Sequence, residues 1–136
     1  KYTESPVCAL KMTNIIDGGP IYLKKNVSLL GSANDIFQRL ADTIELMIIE
    51  IIESNPKPIE QKGKPIIFKR RNPYESELPK NSDQLSDIYD HIRMLDAEHY
   101  PKAFIEYGDL RIEFKNAKYS EDTIEADISI HTKKHI

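Results

Sequence analysis

A chain of 136 residues with 40% hydrophobic content has enough apolar material for one modest core, or one and a half small ones. Its net charge of −3, with charged residues of both signs at 30%, argues against a dedicated nucleic-acid binder, which is ordinarily basic. A single cysteine, Cys8, excludes an internal disulfide and suits a reducing compartment. No apolar run approaches the ~20 residues that span a bilayer, and residues 1–5 lack the apolar core of a signal peptide; the expected setting is cytoplasmic, without a membrane. The chain opens on Lys1 rather than Met, so it is expected to be a piece of a longer protein.

Residues 7–12 read as a mostly buried strand led in by Ser5-Pro6, with Cys8 as a small core residue. The turn Asp17-Gly18-Gly19-Pro20 follows, and residues 21–29 alternate apolar and polar as a second strand with one side near water. Lys24-Lys25 falls on its exposed edge. The pair forms either a hairpin or neighbours joined by a wider loop. Ser32 with Asp35 three residues on resembles a capping box, with Asp in place of the usual Glu. Ile36, Phe37, Leu40, Ala41, Ile44, Met47, Ile48, Ile51 and Ile52 then recur at helical spacing, and Leu46 and Ile49 widen the stripe. A helix of roughly 22 residues, about 33 Å long, ends at Asn55-Pro56. Two strands and one helix cannot bury that much isoleucine, so cover from upstream protein or a partner chain is expected.

Residues 56–82 carry five of the eight prolines, Gly63 and many charges. They read as a surface linker in which residues 65–68 could pair as a short strand. Ser82 caps a second helix with Leu85, Ile88, Tyr89, Ile92 and Leu95 on its buried stripe. Residues 103–107, 110–114 and 124–130 alternate cleanly and predict three one-sided strands, the first two joined by a hairpin at Gly108-Asp109. The expected class is α/β plus α+β, divided as 1–56, a proline-rich linker 57–82, and a small accessory domain 83–136 in which one helix crosses an antiparallel sheet.

Asp17 is the residue best placed for chemistry, because a carboxylate on a short loop between strands sits on a rigid frame. The plain alternative is a turn residue, since Asp and Gly are ordinary turn chemistry. Lys69-Arg70-Arg71 is either a phosphate-binding run or a solvated linker segment. Arg93 is expected to pair with Asp90 or Asp96, and Tyr100-Pro101 to shape a turn into the sheet. His131 and His135 have a spacing that could suit a metal on a helix, but they fall in a Lys-rich tail without a third ligand; no metal site is expected.

These segments also carry a resemblance. Leu10-Lys11-Met12-Thr13 leading into Asp17-Gly18-Gly19-Pro20-Ile21 resembles the loop in which folate-dependent formyltransferases hold their catalytic aspartate, followed there by a strand and a long helix. Phe68-Lys69-Arg70-Arg71-Asn72-Pro73, Ile88-Tyr89-Asp90-His91-Ile92-Arg93 and Tyr100-Pro101-Lys102-Ala103-Phe104 resemble the small C-terminal domain of methionyl-tRNA and amino-sugar N-formyltransferases. The resemblance implies the last strands and long helix of a Rossmann-like domain, with Asp17 as the catalytic carboxylate. It also implies 10-formyltetrahydrofolate as formyl donor, with its pterin ring beside Thr13, Asn14, Ile15 and Ile16. The implied acceptor is the amine of an amino-sugar nucleotide or of methionyl-tRNA, its phosphates at Lys69, Arg70 and Arg71. The acidic balance tilts the choice toward the smaller acceptor.

One departure is large. The family's Asn and His lie upstream of the aspartate, and that segment is absent; His91, His99, His131 and His135 are not expected to replace it. This chain alone should therefore be inactive, its partner being the upstream half of the same protein. The rival expectation is a non-catalytic binding or assembly module whose apolar helix, from Ile44 to Ile52, pairs with a partner or with a second copy.

Overall fold

The computed structural model describes residues 2–64 and 66–133. Its elements are β1 (Glu4–Leu10), β2 (Ile21–Ser28), α1 (Ala33–Ser54), a 3-10 turn (Pro73–Ser76), α2 (Leu85–Arg93), β3 (Ala103–Tyr107), β4 (Leu110–Ser120) and β5 (Thr123–Thr132). Packing divides the chain into two units, Lys1–Leu30 with Asp35–Lys69, and Gly31–Asn34 with Arg70–Ile136. No helix among the described residues is long and apolar enough to cross a membrane.

In the first unit β1 and β2 pair antiparallel, from Glu4↔Ser28 to Leu10↔Ile21, with an irregularity between Ala9 and Leu10. The buried strand expected over 7–12 lies instead at Glu4–Leu10 and is exposed along most of its length. Cys8 is exposed and not a core residue. A ladder of backbone hydrogen bonds orders a strand whether or not its faces are covered, and β1 has β2 as its one paired neighbour among the described residues.

The helix α1 stops where Asn55 turns left-handed, at φ 43°, with its N–H donating to Ile51 O at 3.0 Å; Pro56 follows and cannot continue the helix. Two contacts tie α1 to β2. Arg39 Nε donates to Ser28 O at 3.2 Å, and Lys25 Nζ lies 2.7 Å from Glu50 Oε2. Ile36 and Met47 are buried, but Leu46 is 66% and Ile52 75% exposed. The helix carries more apolar surface than the described residues of this chain cover.

Beyond α1, Ile59 forms an antiparallel bridge with Ile21, with Ile21 N–H to Ile59 O at 2.8 Å and Ile59 N–H to Ile21 O at 2.9 Å. The strand expected at 65–68 is not there. Pro65 lies outside the described residues, and Ile66, Ile67 and Phe68 are exposed and unpaired into any strand. Apolar β-formers make a strand when an edge is offered to them, and it is Ile59 that takes up the backbone of Ile21.

The second unit has a core of its own. Ile92, Leu95 and Ala103 are its centre, with Leu78, Ile88, Phe114, Ala117 and Ile124 packed around them. The sheet order is β3-β4-β5, all antiparallel. Gly108, at φ 56°, supplies the left-handed turn that the β3–β4 hairpin needs. β4 runs beyond the expected residues 110–114 because a register shift between Lys115 and Lys118 lets it re-pair with β5; Asn116 at φ 53° marks that bulge.

Helix α2 begins at Leu85, with Gln84 rather than Ser82 as N-cap residue and no side-chain cap bond. The Ser82 hydroxyl donates instead to Gln84 O at 3.2 Å, so it orders the approach to the helix and satisfies none of its first N–H groups. Arg93 closes the last turn. Its Nε lies 2.5 Å from Asp90 Oδ1, its Nη1 donates to Gly31 O at 2.7 Å, and its guanidinium sits over the Tyr89 ring. Of the two acids considered for it, Asp90 is the ion-pair partner; Asp96 takes Lys102 at 3.0 Å.

Candidate active site

Asp17 sits in the segment 11–20 that joins β1 to β2. Of the two connections considered, the wider loop is the one found, and Ile15 and Ile16 ahead of the aspartate are exposed in it. The reason is local. Lys11 N–H donates to Pro20 O at 2.8 Å and closes the neck of the loop. Gly19 is packed so closely there that a Cβ would lie 1.8 Å from Lys11 O. The residues between are pushed outward as a projecting arc.

Within the arc, Thr13 Oγ1 donates to Ile15 O at 3.1 Å and lies 3.3 Å from Ile15 N, which can donate to it. Gly18 N–H donates to Ile15 O at 3.2 Å. Asp17 itself has φ 54°, a left-handed conformation that a non-glycine residue adopts at a cost of about 1–2 kcal/mol. Something must hold it, and the holding group comes from far along the chain. Gln61 Nε2 donates to Asp17 O at 2.8 Å and to Gly19 O at 2.7 Å. Both partners are carbonyl oxygens, so the amide nitrogen, not its oxygen, must face them. The Asp17 side chain is exposed, as are Thr13, Asn14, Ile15 and Ile16. One arc thus presents a carboxylate next to two solvent-facing isoleucines.

The basic run falls elsewhere in the structure. Arg70 and Arg71 line a cleft of about 330 Å³ in the second unit, with Asn72, Ser76, Tyr100 and Pro101 on its walls; Lys69 is not among its lining residues. Arg71 Nη2 donates to Glu75 O at 2.7 Å, and the backbone N–H of Asn72 donates to the Glu75 carboxylate, so the 3-10 turn orders one wall. Tyr100 and Pro101, expected only to shape a turn, also border this space.

Three of the histidines have their own neighbours in the second unit. His91 Nε2 is 3.2 Å from Ser76 O, His99 is 3.6 Å from Glu98, and His131 is 3.5 Å from Glu113. His135 lies outside the described residues. Among the described residues no three His, Cys, Asp or Glu side chains are grouped to hold a metal ion.

The family model for the methionyl-tRNA formyltransferase C-terminal domain matches residues 73–131. The fold and sequence are also similar, over 96% of this chain, to methionyl-tRNA formyltransferase from Clostridium thermocellum, at 40% identity and a TM-score of 0.91. Residues 73–131 carry the C-terminal domain of the methionyl-tRNA formyltransferase family. The chain spans 57% of the length of the Clostridium thermocellum enzyme. No curated protein matches it. Within this formyltransferase part, the family model covers the helix, sheet and most of the cleft of the second unit. The Asp17 loop and α1 fall within the wider structural likeness.

Gln61 was not legible as a site residue. It lies in a proline-rich stretch without periodicity, 44 residues from Asp17, and no spacing rule links the two.

Proposed function

We propose that this chain is the C-terminal part of an enzyme that moves a formyl group from 10-formyltetrahydrofolate to a primary amine, with Asp17 as its catalytic carboxylate. The observation that carries the reading is the Asp17 loop: a solvent-facing carboxylate, held on a loop closed at its neck and flanked by exposed apolar side chains. The donor supplies an activated formyl carbon. The acceptor nitrogen adds to that carbon, the carbon–nitrogen bond to the folate breaks, and the amine must give up a proton. A carboxylate within reach, directly or through a water, can take that proton or hold a protonated imidazole in place. Ile15 and Ile16 offer apolar surface against which a flat pterin ring can lie, with Thr13 and Asn14 at its edge.

The proposed acceptor carries phosphate, as an amino-sugar nucleotide and methionyl-tRNA both do. Arg70 and Arg71 are the proposed anion-binding groups in the cleft bordered by Tyr100, with Lys69 beside them in sequence. The similarity to a methionyl-tRNA formyltransferase favours the tRNA, and the acidic balance of −3 favours the smaller acceptor. The family's Asn and His would come from the upstream half of the same protein. The proposed cover for the apolar face of α1 is that half, a Rossmann-like domain which residues 1–56 complete. On this reading the isolated chain is inactive and the working enzyme is cytoplasmic.

The test is formyl transfer by the native protein to methionyl-tRNA and to an amino-sugar nucleotide, with the Asp17→Asn variant alongside. Transfer to one of the two, reduced about 10²–10⁴-fold by the substitution, is the expected result. No transfer to either acceptor, or a variant as active as the wild type, overturns the reading.

A further inference from the structure

The proline-rich stretch that follows α1 does more at residues 57–61 than connect. Ile59 pairs with Ile21 through two backbone hydrogen bonds of 2.8 and 2.9 Å, which adds the stretch to the first residue of β2. Two residues on, Gln61 reaches into the Asp17 loop. Its amide nitrogen uses both hydrogens, one on the carbonyl of Asp17 and one on that of Gly19. These carbonyls belong to the Asp17–Gly18 and Gly19–Pro20 peptide planes, which flank the Gly18-Gly19 pair just after the turn at Ile16-Asp17.

We infer that Gln61 is a positioning residue: it locks the peptide planes on both sides of the Gly18-Gly19 pair and thereby sets the direction in which the Asp17 carboxylate points. Several observations converge. Asp17 is left-handed at φ 54° without being glycine, so its conformation must be imposed by its surroundings. The neck bond between Lys11 and Pro20 closes the base of the loop without fixing its tip. Gln61 is exposed, so its two bonds, rather than burial of its side chain, explain a fixed position. The donor count is also decisive, since no other neutral side chain of this length can offer two hydrogens from one atom. The consequence for catalysis rests on the proposed role of Asp17, while the clamp itself does not.

The experiment uses the native protein with Gln61→Glu and Gln61→Met. Both keep the length of the side chain and remove its donors, and an exposed position puts no core at risk. The backbone amide resonances of residues 17–19 are compared with wild type, and formyl-transfer kinetics are measured in parallel. The expected result is displaced amide resonances in both variants and a kcat lower by about 10- to 100-fold, because a small misplacement of a catalytic group has effects of that order. The KM for the formyl donor stays near wild type. The ratio of Gln61→Glu to wild-type kcat should also rise as pH falls, since a protonated carboxyl regains one donor, whereas Gln61→Met shows no such recovery. Unchanged resonances overturn the clamp. Displaced resonances with unchanged kcat overturn its role in positioning Asp17. A wild-type protein without formyl transfer removes the function proposed above, and the resonances then decide the clamp alone.

Discussion

In the second unit Ile92 and Leu95 are buried at 2% exposure, and Ala103 is fully buried. They are ringed by apolar residues from α2, β4, β5 and the stretch before the helix. The first unit contrasts with this. α1 is the longest helix among the described residues, yet Leu46, Ile48 and Ile52 all face outward. The second unit gathers a core of its own although Tyr107, Ile128 and Ile130 stay exposed on its sheet, and the first leaves a whole helix face over. An apolar helix face left uncovered is the kind of surface that marks an interaction site. The proposed catalytic carboxylate lies in the unit with the open helix face, and the arginine cleft in the other.

That contrast can be broken most directly at Ile92. Its replacement by Ala should cost about 2–5 kcal/mol, read as a lowered denaturation midpoint of the second unit. A loss under 1 kcal/mol would mean that this core is not what holds the unit together. Gly19→Ala follows in size. A Cβ 1.8 Å from Lys11 O cannot be accommodated without moving backbone, so the loop neck must open. Formyl transfer should fall by about 10²-fold with a smaller effect on thermal stability, and retained activity would show that the loop tolerates a different course.

Ile52→Glu sharpens the comparison because its effect depends on what covers α1. In the isolated chain an exposed position should respond by no more than about 0.5 kcal/mol, whereas in the native protein a covering domain would make the same change far more costly. Equal effects in both would remove the proposed cover.

The smallest expected effect is electrostatic. The Lys133 ammonium, 2.7 Å from Glu106, holds that carboxyl below its ordinary range, with Arg111 adding to the effect. A carboxyl with a lowered folded pKa adds stability above its ordinary, unfolded value, and this is lost as pH falls through the folded one. Glu106→Gln should therefore lower the melting temperature slightly at neutral pH, and the difference should fade below pH ~4 and in high salt. A difference that persists in acid would assign the effect to packing.

Much of the fold was legible because periodicity reports which face of an element meets other chain. Residues 103–107 alternate so cleanly that the expected strand and β3 coincide, and the apolar stripe of α1 ends at Asn55-Pro56 as expected. The errors share a cause. Residues 7–12 and 65–68 are apolar and β-prone, so they read as buried or paired strands, but apolar content does not say whether an edge or a cover is at hand. Ser82 read as a helix cap because its residue type fits, while its hydroxyl is committed to Gln84 O. Asp17 was legible through its glycine neighbours and a family resemblance; Gln61, which grips the same loop, was not.

The sequence by itself determined the long helix and its surplus of isoleucine, the second helix, the span of β3 and the place of the candidate carboxylate. All of these follow from interactions within a few residues of each other, or from the sum of apolar side chains an element must bury. The tertiary structure decided that Glu4–Leu10 is the strand, that Arg70 and Arg71 open onto a cleft, and that Gln61 reaches back across 44 residues to hold Asp17. Such contacts depend on where the chain returns in space, and hydrogen bonds between distant segments leave no period in the sequence to read.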